Sequence, residues 1–340
     1  MKINKNKVFI VAELSANHNQ SKQIAIDTVR AAKKAGADAI KLQTYTPDTL
    51  TINSDKDDFI INNGSIWDGK TFYELYKSAY TPWEWHKDLF EVAKEENLIC
   101  FSTPFDHTAV DFLEKLGNPI YKIASFEITD IPLIKYVASK MKPVILSTGI
   151  ATKSDIQLAI DTVRSTGNEN ITLLKCTSSY PAPLSEANLR MLNQYKQDFD
   201  VEVGLSDHTE GYIAPIIAVS QGAKLIEKHF ILNKKIGGPD ASFSLDYDEF
   251  KKMVYHIRDA ESALGQKNYE ITEKQNRGRD FSRSLYIVND VKVGDIISHK
   301  NVKSIRPGFG LHPKYLDQIL GEKFSENLTK GTRFKREYIL

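Results

Sequence analysis

The chain has 340 residues, 41% of them hydrophobic and 26% charged, which supports a packed core and fits one large domain with a small one. Its 45 basic and 44 acidic residues leave a formal charge of +1, so nothing in the balance asks for a nucleic-acid or membrane-surface partner, and an anionic ligand would be held by local charge. Cys100 and Cys176 are the only cysteines; both lie in apolar runs, which argues against a disulfide framework, and two cannot build a zinc cluster alone.

The N-terminus, MKINKNKVFIVAEL, starts basic but has only a short apolar run before Glu13, so it reads as a strand and not a signal peptide. No later stretch approaches the roughly 18 apolar residues of a membrane span; the expected compartment is the cytoplasm. Apolar runs recur at 8–14 (VFIVAEL), 37–43 (ADAIKLQ), 98–104 (LICFSTP) and 119–125 (PIYKIAS). They continue at 143–149 (PVILSTG), 171–178 (ITLLKCTS), 201–208 (VEVGLSDH) and 223–230 (AKLIEKHF). Most are nearly continuous in apolar residues, as suits parallel strands covered on both faces. The segments between them read as helices. In 21–36, Ser21 caps the start, Ala25, Val29 and Ala32 share a face, and Gly36 ends the helix. Eight alternations in about 260 residues predict an α/β fold, a (β/α)₈ TIM barrel over 1–264. The rival, an open doubly wound sheet, needs a Gly-rich phosphate turn after its first strand, and ELSANHNQ is not one.

One connection, 44–80, is long. Its Trp67, Tyr73 and Tyr76 form either a lid over the barrel mouth or an Ω-like insertion on the outside. After Leu264, residues 265–282 are polar and basic and read as a linker. Residues 283–340 read as a small second domain of short strands, with Val293-Gly294 and Lys330-Gly331 marking similar turns.

Active sites of (β/α)₈ barrels lie at the C-terminal ends of the strands, and unusual polar residues collect there. They are Glu13; Lys41 with Gln43; Thr103; Lys122 with Ser125 and Glu127; Ser147; Thr177 with Ser178; Ser206 with His208; and His229. Alternation puts Lys41 and Gln43 on one face. Lys122 and Ser125 fall on opposite nominal faces, so one of them lies beyond the regular strand. His208 and His229 end adjacent strands, and two imidazoles beside oxygen donors suit manganese, magnesium or a similar ion better than structural zinc. Two lysines with several hydroxyls at one rim suit an anionic substrate. Glu13 and Glu127 are candidates for proton transfer or for binding sugar hydroxyls, and Asp240 could reach the same mouth.

These motifs resemble the sialic acid synthase family. The matching stretches are AELSANHN (12–19), AGADAIKLQTY (35–45), FSTPFD (101–106), YKIASFE (121–127), ILSTGIAT (145–152), KCTSSYPAP (175–183), GLSDHTEGY (204–212) and IEKHF (226–230). SIRPGFGLHP (304–313) resembles the family's antifreeze-like (SAF) domain. The resemblance implies an enzyme that condenses phosphoenolpyruvate with an amino-sugar aldehyde, using a divalent metal (Mn²⁺, Mg²⁺ or Co²⁺). It implies that His208 and His229 bind the metal and that Glu13 sits beside it to handle a proton or water. Lys41, Thr103, Lys122, Ser125, Ser147 and Ser206 would hold phosphoenolpyruvate. Gln43, Phe105, Glu127, Tyr180 and Asp240 would line the sugar site. Arg306 would reach that site from the partner subunit of a domain-swapped homodimer. At Ser178 the chain departs from N-acetylneuraminate synthases, which carry asparagine there. The alternatives are the same reaction on another sugar, N-acetylmannosamine or the legionaminic precursor; a metal-dependent aldolase without phosphoenolpyruvate, which needs no two-lysine site; and a non-catalytic sugar-binding protein, which leaves the polar ring unexplained.

Overall fold

The computed structural model describes residues 7–62, 64 and 67–340, and the chain divides into two compact units, Met1–Gly265 and Gln266–Leu340. In the first unit β1 (Phe9–Glu13), β2 (Ala39–Thr44), β3 (Ile99–Pro104) and β4 (Tyr121–Ile123) are followed by β5 (Val144–Ser147), β6 (Ile171–Cys176), β7 (Glu202–Asp207) and β8 (Leu225–His229). All eight pair in parallel in chain order, and β8 closes on β1 in a register running from Phe9 opposite Leu225 to Glu13 opposite His229. That closure makes the sheet a barrel and excludes the open rival. Gly204 of β7 allows a tight approach to β8: a Cβ there would sit 2.4 Å from the Leu225 carbonyl oxygen.

Alternation along the strands sorts the barrel into layers. Phe9, Val11, Ala39, Phe101, Ile145, Leu174 and Leu225 pack in the bore as a buried apolar floor. The residues between them, such as Ile10, Ala12, Ile40 and Leu42, face outward into the core shared with the helices. Burying each large side chain contributes roughly 1.5–3 kcal/mol, and this lets the fold carry a polar layer above the floor. Two residues further along the same bore-facing rows stand Glu13, Lys41, Ser147 and Glu227.

The helices start as their sequences dictate. The Ser21 side chain accepts from the Ile24 N–H at the head of Lys22–Lys34, and Gly36 leaves that turn at φ +94°. Thr152 with Asp155 and Asp246 with Glu249 form capping boxes on Lys153–Ser165 and Tyr247–Leu264. The last of these helices brings Arg258 to the barrel bottom. There it donates to the Val8 carbonyl (2.9 Å) and to Asp38 Oδ2 (3.0 Å), tying β1 and β2 to the end of the unit.

In the second unit, β9 (Ser284–Ile287) and β10 (Val302–Ile305) pair antiparallel over a small core that includes Leu285, Ile287, Val302, Phe324 and Phe334. Gly294 and Gly331 supply positive φ at its two turns, 85° and 90°. The stretch read as a linker carries a helix, Glu273–Gly278, and a 3₁₀ turn, Arg279–Phe281. Cys100 and Cys176 are free and buried. Among the described residues no helix is long and apolar enough to cross a membrane.

Candidate active site

A cavity of about 490 Å³ opens at the C-terminal ends of the strands. Its deep wall is a buried charge cluster. Lys41 Nζ contacts the Glu13 carboxylate, lies 3.5 Å from Glu227 Oε1 and donates to Thr103 Oγ1 at 3.2 Å. Lys122 Nζ lies 3.4 Å from the same Glu227 oxygen, and the Ser206 hydroxyl donates to it at 3.0 Å. Burial opposes the Lys41 charge, but Glu13 and Glu227 outweigh it and raise the Lys41 pKa. Burial lowers that of Lys122, with Glu227 pulling the other way. For Glu227 burial favours the neutral acid, yet Lys122 and Lys41 overcome it and hold the carboxyl at about 2. Burial pushes Glu13 up, against the pull of Lys41. Two lysine side chains line this wall, and an incoming anion would compete with Glu227 for both.

Hydroxyls complete that side. Ser125 opens a 3₁₀ turn, Ser125–Glu127, just past β4, which resolves the face conflict with Lys122. Its oxygen accepts from the Gly149 N–H at 3.0 Å. Gly149 has no room for a side chain: a Cβ would stand 1.9 Å from Ser178 Oγ and 2.7 Å from Ser125 Oγ. Ser147 Oγ and Glu227 Oε2 are buried without a hydrogen-bond partner among the described residues, as expected of groups aimed at a ligand.

His208 and His229 stand side by side, ring centroids 5.2 Å apart, with the Tyr180 ring 4.3 Å from His208. His208 Nδ1 donates to the Thr177 carbonyl at 2.9 Å and contacts Cys176 Sγ at 3.8 Å. Burial holds the His229 pKa well below its usual value, so it is neutral. Its Nδ1 has no hydrogen-bond partner among the described residues, and Asp240 Oδ2 lies 3.8 Å away. Gln43 donates to Ser15 Oγ (3.0 Å) and Glu13 Oε1 (3.4 Å). Burial raises Glu127 to about 7, and its Oε2 is also unpartnered.

The outer wall comes from the long connection. Ile61, Trp67, Phe72, Leu75 and Tyr76 line the cavity, so the insert covers the mouth and does not pack on the outside. Tyr73 does not line it and turns to Asp48.

Residues 28–269 match the NeuB family, and 282–334 match the SAF domain. The chain is 51% identical to pseudaminic acid synthase of Campylobacter jejuni subsp. jejuni (strain 81-176), over 97% of this chain and 96% of the relative. It is 38% identical to N,N'-diacetyllegionaminic acid synthase of Legionella pneumophila, covering 97% and 94%. The crystal structure of N-acetylneuraminic acid (sialic acid) synthetase from Leptospira borgpetersenii in complex with citrate superposes with a TM-score of 0.72 at 30% identity, over 81% of this chain and 90% of that one. This chain belongs to the NeuB family.

For a NeuB-family chain the metal question turns on the two histidines. Among the described residues no group of three or more His, Cys, Asp or Glu side chains is arranged to hold a metal ion. The pair nevertheless fits an open site. One imidazole is fixed by a backbone carbonyl and the other is neutral with an unpartnered nitrogen, leaving further positions to water or substrate.

Of the positions singled out from sequence, Glu13, Lys41, Gln43, Phe105, Lys122 and Ser125 line this one cavity, as do Glu127, Ser147, Tyr180, Ser206, His208, His229 and Asp240. Thr103 does not: it is fully buried behind Lys41. Arg306 lies in the second unit, at the end of β10, ahead of a cis bond to Pro307. Glu227 was missed. Its signal was the two-residue step back from His229 along β8, which keeps it on the bore face. Tyr45 was missed too, and its ring bridges Phe105 (5.1 Å) and Tyr76 (5.8 Å).

Proposed function

We propose that this chain is a nonulosonic acid synthase that condenses phosphoenolpyruvate with 2,4-diacetamido-2,4,6-trideoxy-L-altrose, giving pseudaminic acid and phosphate. The carrying observation is the pair of lysines, Lys41 and Lys122, facing the same cavity as His208 and His229. The choice of acceptor is supported by the 51% identity to a pseudaminic acid synthase, against 38% to a legionaminic acid synthase. The stretches AELSANH, WDGKTFYELY, TPWEWH and CTSSYP point the same way.

In this reading Lys41 and Lys122 hold the phosphate and carboxylate of phosphoenolpyruvate, with Ser125, Ser147 and Ser206 as directional donors and Thr103 steadying Lys41 from behind. His208 and His229 hold a divalent metal, manganese, magnesium or cobalt, which when bound polarises the acceptor aldehyde. Gln43, Phe105, Glu127, Tyr180 and Asp240 position the open-chain sugar. The methylene carbon of phosphoenolpyruvate attacks the aldehyde carbon, and the cationic centre left at C2 is captured by water. Glu13 takes the water proton, which passes to the alkoxide left by the aldehyde oxygen. The tetrahedral intermediate then expels phosphate by carbon–oxygen cleavage, its hydroxyl proton leaving with the phosphate as the ketone forms. Holding both reactants in one cavity supplies the alignment that solution encounters lack.

Phosphoenolpyruvate is a cytoplasmic metabolite, and the reading puts the reaction in that compartment. It includes a domain-swapped homodimer in which Arg306 completes the partner's sugar site. Mixing the inactive His208→Ala and Arg306→Ala chains should then restore some activity; no recovery after verified subunit exchange would mean that each chain builds its own site. The acceptor is tested by comparing kcat/KM for the altrose derivative, the legionaminic precursor and N-acetylmannosamine. The altrose derivative should give the highest value, and a higher one for N-acetylmannosamine would reassign the chain to sialic acid synthesis.

A further inference from the structure

We propose that the insert between β2 and β3 selects the deoxygenated end of the acceptor: Ile61, Trp67, Phe72, Leu75 and Tyr76 receive the C6 methyl and favour 6-deoxy sugars over their 6-hydroxy counterparts. This rests on the condensation reading above and adds to it the residues that choose the sugar's far end.

Polarity in the cavity is segregated. Among the described residues, every carboxylate and lysine on its surface comes from a strand end or the loop just past one, namely Glu13, Lys41, Lys122, Glu127, Glu227 and Asp240. The insert contributes apolar and aromatic surface. Ile61 and Leu75 are 3% and 8% exposed, and Phe72 stacks on Tyr76 with centroids 6.1 Å apart. The wall is anchored. The Ile61 N–H donates to the Lys70 carbonyl (2.8 Å), and the Ile61 carbonyl accepts from Gly69 (2.9 Å). A Thr71–Glu74 capping box starts the helix Phe72–Ala79. A preformed apolar surface of this kind needs no reorganisation to receive a methyl group.

Distance puts the right end of the sugar there. The aldehyde carbon must lie at His208 and His229. The Tyr180 ring is 4.3 Å from His208 and the Trp67 ring is 5.6 Å from Tyr180, so Trp67 is no more than about 10 Å from His208. Six carbons at ~1.5 Å per bond extend about 6 Å, which carries C6 and its van der Waals surface toward Trp67. A methyl keeps its contacts with the wall, whereas a hydroxyl there gives up water. A hydrophobic pocket rejects an added hydroxyl by up to about a hundredfold.

The test is a matched acceptor pair, the 2,4-diacetamido-2,4,6-trideoxy altrose and the same sugar bearing a 6-hydroxyl. Each is assayed with phosphoenolpyruvate and manganese by phosphate release and product mass. The native chain should favour the deoxy sugar in kcat/KM by tenfold to about a hundredfold. In Ile61→Thr and Phe72→His that ratio should fall by about tenfold, through the acceptor KM, with the phosphoenolpyruvate KM unmoved. Thermal melts establish that each variant is folded. If Ile61→Thr is not, Phe72→His, at a partly exposed position, decides alone. An unchanged ratio in a folded variant overturns the proposal, as does equal use of both sugars by the native chain, and both leave the condensation reading standing. No product from either sugar overturns that reading and the wall with it.

Discussion

β7 and β8 carry buried charge on both faces of the barrel wall, and the two faces treat it differently. On the outer face, between strands and helices, Lys228 meets Asp207 at 2.6 Å and also bonds the Thr209 carbonyl. The Asp207 oxygens accept in turn from the Thr209 N–H (3.0 Å) and hydroxyl (3.2 Å). On the inner face, one residue away along the same strands, Glu227 sits 3.4–3.5 Å from two lysines and keeps one oxygen unpartnered among the described residues. His229 and Ser147 likewise keep an unpartnered atom. Both clusters are removed from water, so burial does not distinguish them. Completeness does. Each polar side-chain atom of the outer pair has a partner, as suits a pair that serves the fold, while the inner cluster leaves atoms that a ligand can use.

The largest effect should come from the inner face. His208→Ala or His229→Ala should lower kcat/KM by well over a hundredfold, beyond what loss of a mere supporting residue costs, with the thermal midpoint little changed. A chelator should reproduce the loss, and added metal should reverse it. Full turnover in a chelated, metal-free sample would remove the metal from the account.

The comparison itself is broken or kept by exchanging the faces. Lys228→Met strands Asp207 in the wall and should cost about 3–5 kcal/mol of stability, read by denaturant unfolding, while folded molecules keep near-native kcat/KM. Adding Asp207→Leu should return much of that loss, since an apolar pair can replace a buried ion pair. Lys41→Met takes a cation from beside Glu13 and Glu227 and so also costs stability, but the molecules that stay folded should lose about 10²–10³ in kcat/KM for phosphoenolpyruvate. If Lys228→Met abolished turnover in folded protein, or folded Lys41→Met kept native turnover, the division between the faces would fail.

A smaller effect sharpens the picture at Glu127, which burial raises from 4.5 to about 7. Between those values the folded chain holds a proton that the unfolded chain has lost, so stability falls as pH rises. The contribution of the neutral carboxyl is fully present below about pH 4.5 and gone above about pH 7. Relative to Glu127→Gln, the native chain should therefore lose up to roughly 3 kcal/mol between acid and alkaline conditions. Unfolding of the two proteins across that range measures it, and parallel curves would mean that Glu127 ionises normally. The same substitution should flatten any limb near neutrality in the acceptor kcat/KM profile.

The fold was legible because each strand is a short apolar run that stops at a polar residue, as VFIVA stops at Glu13 and PVIL at Ser147. Alternation alone puts Lys41 and Gln43 on one face. What escaped was either hidden by a neighbour or set by a loop. Glu227 lies in the same IEKHF stretch as His229, and stepping two residues back along the strand would have found it. Thr103 obeyed the alternation, yet the longer Lys41 side chain stands between it and the cavity. The insert could not be placed, because no periodicity governs the path of residues 44–80. Its position over the mouth depends on long-range contacts such as the Trp83 Nε1–H bond to the Tyr45 carbonyl (3.1 Å).

The most direct test of the account is the stoichiometry of condensation in the purified chain with manganese, phosphoenolpyruvate and the diacetamido-trideoxy altrose. Phosphate and product, identified by mass, should appear one for one and only when acceptor is present, and Lys41→Met should suppress both together. Phosphate released from phosphoenolpyruvate alone, or acceptor consumed without phosphate, would contradict a cavity built to join the two.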